Sequence, residues 1–322
     1  MKALIMHFVL GLAFVFCCAG ICQAHNEKTA YAIPLEDIII DGKLDDWPEE
    51  MAVYPIEWVL RTRPFNPTPP DGPEDLTASF RAGYDQKANL LYLGVVVQDE
   101  DLVVLPEAPR SGGNLQDVCE VYVDADHSGG DGASQEAKGA QLYIVVPGSG
   151  RYNNGPAIDG NPTLAFGDTQ RSGVQVAFLR SGQTLVYEWA IPLFASFPEE
   201  PFQVEVGKTI GFDVVVDDAD GQDHANWVAW TPGDGKVNSS NFFGNLVLLE
   251  SYAELGTIAG VAVEKKEKTP YAGLILEAYQ QDDPVGSVQT DAAGQYHLSL
   301  RPGEYNLKVQ RGQGVEPAER LF

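Results

Sequence analysis

Short apolar or alternating runs, each closed by Gly, Asn, Asp or Pro, recur along most of the chain. Asp37–Ile40, Thr77–Tyr84, Leu90–Val97, Asp117–Asp124, Ala140–Val146, Val174–Leu179, Thr184–Ile191, Thr209–Asp217 and Asn245–Leu249 are rich in β-branched and aromatic residues and predict strands. In Asp117–Asp124 the apolar Cys119, Val121 and Val123 fall on one face, with Glu120 and Tyr122 on the other. Leu90–Val97 is apolar throughout, which predicts a strand covered on both sides. No stretch after residue 25 holds a helical period beyond a turn or two. The pattern therefore predicts an all-β protein, an antiparallel β-sandwich rather than a βαβ fold. Arg61–Pro73 holds Pro64, Pro67, Pro69, Pro70 and Pro73, so it predicts a surface loop without ladder hydrogen bonds.

Residues 256–322 form a second, smaller unit. Tyr296, Leu298 and Leu300 alternate with polar residues, as do Tyr305, Leu307 and Val309. Between them Arg301-Pro302-Gly303-Glu304 fits a type II turn, which predicts a hairpin. Asp291-Ala292-Ala293-Gly294 predicts another turn just before it.

The amino end changes the setting. Lys2 precedes a nearly continuous apolar run from Ala3 to Gly20, and Cys22-Gln23-Ala24 supplies small residues for cleavage before His25. Residues 1–24 are thus expected to be a signal peptide and the protein to be secreted or periplasmic, with no membrane insertion afterwards. Cys17, Cys18 and Cys22 would leave with the leader, so Cys119 is read as a small buried hydrophobe. The leader carries one of the 21 basic residues and none of the 46 acidic ones. Residues 25–255 hold 37 acidic and 13 basic residues, against 9 and 7 in 256–322, which marks a boundary near Gly256. So acidic a first region repels nucleic acid and anionic membranes.

Candidate chemistry is sparse. Asp124-Ala125-Asp126-His127-Ser128-Gly129-Gly130-Asp131-Gly132 places carboxylates among glycines, as a hard cation requires, so Asp124, Asp126 and Asp131 are candidate calcium ligands. The run follows an EF-hand loop at first, but Gln135 stands where the bidentate Glu should be. A solvated acidic turn is the other reading. Asp217, Asp218, Asp220 and Asp223 form a second acidic run, which turn chemistry explains better than a metal. His25, His127, His224 and His297 match neither zinc spacings nor a Ser-His pair, and no motif selects two carboxylates for hydrolysis, so no enzyme activity is expected. A haem site would want an axial Met or His, and Met51 is the one methionine left after the leader.

Two resemblances add to this reading. Ile40-Asp41-Gly42-Lys43-Leu44-Asp45-Asp46-Trp47 resembles the opening of family 9 carbohydrate-binding modules. The resemblance continues in order through Gly83-Tyr84-Asp85, Asp117–Asp124, Glu188–Leu193, Ile210-Gly211-Phe212-Asp213 and Phe243-Gly244-Asn245-Leu246, over residues 36–250. It implies a sandwich over residues 35–250, related to DOMON-type domains, that binds sugars and often calcium. The family's sugar clamp implies roles for Glu120 and Trp230. Its second tryptophan would fall just before the glutamate, where Gly113-Asn114-Leu115-Gln116 has no aromatic. Trp227 and Tyr122 are further candidates, although the odd spacing of Trp227 and Trp230 sends them to opposite faces of one strand, and core packing is the rival role for Trp230. Trp47 and Trp189 read as core. The tail resembles carboxypeptidase-regulatory-like, transthyretin-like domains through Gly260-Val261, Thr290–Tyr296 and Leu300–Tyr305. The expectation is an exported, non-catalytic binder of a polysaccharide or oligosaccharide, supported by calcium. The alternatives are a structural module with its sugar site lost, pairing with a surface protein, and an accessory part of a glycoside-hydrolase system.

Overall fold

The computed structural model describes residues 25–26, 28–60, 70, 72, 75–103, 116–130, 132, 139–145, 147, 163–164, 173–197, 199–219, 226–264, 266–310 and 320–321. The leader, most of the proline-rich loop, residues 113–115, Asp131, Asp220, Asp223 and His224 lie outside them. No helix among the described residues is long and apolar enough to cross a membrane.

The chain is all β. The strands are β1 (Thr29–Pro34), β2 (Tyr54–Ile56), β3 (Trp58–Val59), β4 (Leu76–Asp85), β5 (Leu90–Asp99), β6 (Val118–Asp124) and β7 (Ala140–Val145). There follow β8 (Thr163–Leu164), β9 (Gln175–Ser181), β10 (Thr184–Pro192), β11 (Phe194–Ser196), β12 (Glu200–Pro201), β13 (Thr209–Asp218), β14 (Asn226–Ala229) and β15 (Gly244–Leu248). The tail adds β16 (Gly256–Val261), β17 (Ile275–Gln280), β18 (Asp283–Gln289), β19 (Gln295–Leu300), β20 (Asn306–Val309) and β21 (Arg320–Leu321).

One layer runs β8-β7-β6-β13-β15-β1, with β14 and β3 continuing beside the outer half of β13; the other runs β4-β5-β10-β9, with β2 on β4. Both are antiparallel except at β1. Its first residues pair in parallel with β15 (Thr29 to Asn245, Ala32 to Leu248), and its last two pair in parallel with β4 (Ile33 to Gly83). One strand thus stitches the two layers along a seam.

Side chains of alternate parity meet between the layers. Phe80, Ala82 and Tyr84 of β4 and Leu91, Leu93, Val95 and Val97 of β5 face Cys119, Val121 and Val123 of β6 and Phe212, Val214 and Val216 of β13. Burial pushes the Cys119 thiol far above its ordinary value, so it is an inert packing group. Trp189 is fully buried in this core, and Trp47 is buried in a separate cluster.

That second cluster explains why β5 is apolar on both sides. Asp37–Ile40, expected to be a strand, is an irregular segment lying on the outer face of the second layer, with Ile38, Ile40, Leu44 and Trp47 against Tyr92 and Ala190. Its backbone polar groups find a side chain instead of a ladder. Glu188 Oε2 accepts from Asp41 N at 2.9 Å and Gly42 N at 3.0 Å, while Oε1 accepts from Trp47 Nε1 at 2.9 Å. Gly42 has φ +84°, and a Cβ there would meet the Phe178 carbonyl carbon at 2.8 Å, so no other residue fits the turn.

The tail strands bury their own small core of Leu274, Leu276, Ala278, Leu298, Leu300 and Leu307. The turn at Asp291–Gly294 is present: Asp291 Oδ1 accepts from Ala293 N and Gln295 N, both at 2.8 Å. The expected hairpin is absent. β19 pairs with β16, whereas β20 pairs with β17 in the other sheet, so Arg301–Glu304 carries the chain across the core. Tyr305 donates to Arg301 O at 2.7 Å and lies over Gly303, where a Cβ would crowd its hydroxyl. Alternation fixed which side chains face inward, but both candidate partner sheets share that core, so alternation could not choose between them.

Candidate functional site

The outer face of the first layer carries an unusual mixture. Register across β6, β13, β14 and β3 aligns Glu120, Val215, Ala229 and Trp58 in one row. The adjoining row holds Val118, Asp217 and Trp227. Trp58 and Trp227 therefore stand diagonally on neighbouring strands, about 7–8 Å apart at the backbone, both on the side away from the core. Trp227 packs against a cluster that includes Leu60, Tyr122, Leu142 and Phe243.

Parity divides the predicted residues. Glu120, Tyr122 and Trp227 share this face. Trp230 does not: it is 1% exposed, with its ring 5.3 Å from Phe80 at 80° and 6.0 Å from Phe212. The correction has a simple cause. Val228 and Trp230 point inward because Ala229 opposes the outward Val215, which leaves Trp227 outside and Trp230 without a face for a ligand. Trp58, overlooked in the sequence, supplies the second ring. Its only local signal was an aromatic two residues from Leu60 at the brink of the proline-rich run.

The polar groups here are short of partners. Tyr122 donates to Glu120 Oε2 at 2.5 Å. Burial raises the Glu120 carboxyl to about 7 despite that bond. Asp217 is 2% exposed and its Oδ1 has no hydrogen-bond partner among the described residues; burial, then the charges of Glu120, Asp117 and Asp218, push its carboxyl well up. The buried Trp58 indole N–H likewise has none among the described residues. Unmet acceptors and a donor beside two indoles suit a ligand with many hydroxyls and an apolar ring face.

Behind this face, at one end of the sandwich, Asp99 of β5, Asp117 before β6 and Asp218 of β13 converge, with ligand atoms within 4.8 Å of one another. They come from both layers, and all three are buried. Asp117 Oδ1 accepts from Ala219 N at 3.1 Å and Oδ2 from Val103 N at 2.8 Å. Burial first, and then Asp99, raise the Asp117 carboxyl to about 8. Three desolvated carboxylates are the donor set that a hard cation takes. Asp218, expected to open a turn, instead ends a buried strand next to Asp217 and on the opposite face.

In the run whose Asp124, Asp126 and Asp131 were the expected calcium ligands, Asp131 lies outside the described residues. Asp124 is buried, receives Gly129 N at 3.0 Å and touches His25 Nε2 at 3.2 Å. Asp126 is turned to Ser128 N at 3.1 Å.

The fold is a β-sandwich whose first layer sets two indoles and two carboxyl groups on its outer face. Residues 40–251 match the family described as "Carbohydrate family 9 binding domain-like", and the chain belongs to that family. Its fold is similar to the family 9 carbohydrate-binding module of Caldicellulosiruptor kristjanssonii. In the complexes of that module with cellotriose and with glucose the identity is 18% and the TM-score 0.50. The match covers 70% of this chain and 95% and 97%, respectively, of those chains. A protein from Bacteroides uniformis aligns at 14% identity and TM-score 0.47, over 69% of this chain and 99% of its own. No curated protein matches the sequence.

Proposed function

We propose that the outer face of the first layer binds an oligosaccharide or polysaccharide chain, in an exported and non-catalytic protein. The observation that carries this is the placement of Trp58 and Trp227 on one face with the unpartnered oxygen of Asp217 and the Glu120 carboxyl. The indoles offer faces for sugar rings, and the carboxylates accept from hydroxyls. The similar module was crystallised with cellotriose and glucose, so β-linked glucose oligomers are the first ligands to test. In affinity electrophoresis through soluble glucans, Trp227→Ala, Trp58→Ala and Glu120→Ala should each cost at least about tenfold in affinity, or roughly 1.4 kcal/mol. Wild-type retention by all three variants would exclude this face.

Calcium at Asp99, Asp117 and Asp218 is the second part of the proposal. A carboxyl raised from 3.8 to about 8 by folding binds its proton more tightly in the folded chain than in the unfolded one. Without a cation, stability therefore falls as pH rises across that window. Calcium needs the ionised group and acts most strongly at the upper end. Melting in EDTA should give a lower midpoint near about pH 8 than near about pH 5. Added calcium should raise the midpoint mainly at the higher pH, by about 2.7 kcal/mol at a hundred times Kd. An unchanged midpoint at both pH values would remove calcium from the account.

A further inference from the structure

The residue that leader cleavage would expose is not a loose end. His25 is buried, with its ring stacked on His127 at 4.0 Å between centroids and 22° between planes. Backbone bonds pin the segment that follows: Asn26 N to Phe243 O at 2.9 Å, and the Asn245 side chain to Asn26 O at 2.8 Å. Gly211 lies directly under the imidazole, and any Cβ there would collide with the His25 ring. Chain ends are held this tightly only when something ties them down.

The imidazole is also chemically unfinished. Nε2 sits 3.2 Å from Asp124 Oδ2 in a close polar contact that falls outside good hydrogen-bond alignment, and the buried Nδ1 has no partner among the described residues. Asp124 is fully buried and accepts from the Gly129 N–H at 3.0 Å, which holds its carboxyl group in place beside the ring. A carboxylate at one ring nitrogen fixes the tautomer and leaves the other nitrogen's lone pair available, the usual second partner of a metal-bound histidine. His127 serves as a wall rather than a ligand: its Nε2 is held by Asn245 Oδ1 at 2.8 Å, and stacked rings cannot both aim lone pairs at one ion.

We propose that the mature chain, beginning at His25, holds one copper(II) ion through the freed α-amine and Nδ1 of His25, with Asp124 orienting the ring. The amine and Nδ1 of one histidine close a six-membered chelate, and such a nitrogen pair favours copper over the other divalent first-row ions. An α-amine of pKa about 8 releases its proton readily to a metal near neutrality.

The test uses the full chain exported with its own leader, its first residue established by intact mass. It is compared with a form carrying Gly-Pro before His25, which keeps the imidazole, turns the His25 amine into an amide and, through proline's missing N–H, hinders a new amine–amide–imidazole chelate. Copper is titrated against a competing chelator and followed by electron paramagnetic resonance. The mature form should bind one equivalent at least tenfold more tightly than the extended form, with nitrogen coupling in the spectrum, and Asp124→Asn should weaken it severalfold. Loose binding to this acidic chain is common to both forms and cancels. Equal affinity in the two forms, or a mature chain that starts elsewhere, would overturn the proposal. Sugar retention is read separately, so either proposal can fail alone.

Discussion

Trp230→Ala should destabilise the protein by about 3–5 kcal/mol, read as a shift of the urea midpoint at unchanged slope. The indole fills the space between Phe80 and Phe212, and Gly244 is a glycine partly because a Cβ would meet the ring at 2.6 Å. Removing it leaves a cavity among rigid neighbours that cannot collapse. Against a typical total of about 5–15 kcal/mol, this is a large share of the fold's stability. Trp227→Ala removes a half-buried ring packed on the smaller cluster of Leu60, Tyr122 and Phe243 and should cost less, about 1–2 kcal/mol. The two substitutions lie three residues apart and separate cleanly. If instead Trp230→Ala melts normally and loses sugar, the parity of β14 is wrong and the site must be redrawn.

Lys236→Met should cost a similar 3–5 kcal/mol, for an electrostatic reason. Lys236 Nζ lies 2.6 Å from Asp213 Oδ2, with both side chains essentially inaccessible to water. It also donates to Thr231 O at 2.9 Å, Thr231 Oγ1 at 2.7 Å and Phe242 O at 3.1 Å, so one ammonium holds the loop from Thr231 to Phe242 onto β13. Methionine fills the space but strands the Asp213 carboxylate. Its remaining donors, Val214 N, Thr231 N and the Thr231 hydroxyl, do not balance a buried charge. Without its cation Asp213 is most easily accommodated protonated. The folded-state pKa then lies above the unfolded one, so the deficit shrinks as pH falls toward 4–5 and grows toward neutrality. Chemical denaturation at several pH values checks both the size and the trend. A flat profile would mean that the pair matters only through packing.

Much of the sandwich was legible because its long strands are patterned on both sides. β4, β5, β6, β10 and β13 were each read within two residues of their ends, and the even–odd split of β6 placed Glu120 opposite Cys119 correctly. β1 was not read. Thr29-Ala30-Tyr31-Ala32-Ile33-Pro34 has small residues where a pattern would show, and its partners are parallel strands far along the chain. Asp37–Ile40 misled because Ile38 and Ile40 are apolar for a reason other than strand pairing: they cap the outer face beside Tyr92.

The site was half legible. A two-residue period says that Trp227 and Trp230 differ in face, but only the pairing of Val215 with Ala229 says which is outside. Trp58 reaches the platform through a two-residue strand that no local pattern announces. Asp99 ends β5, Asp117 precedes β6 and Asp218 ends β13, in two layers, so no run of sequence brings them together.

The seam strand carries a kinetic consequence. Thr29 lies beside Asn245, so the opening segment has no docking place until nearly the whole sandwich has left the ribosome. Contacts this distant along the chain place folding in the millisecond-to-second regime of slow β topologies. The nascent protein therefore passes through a long interval in which one layer edge is open and its amino end swings free, and zipping β1 into place is the step that makes the two halves a single body.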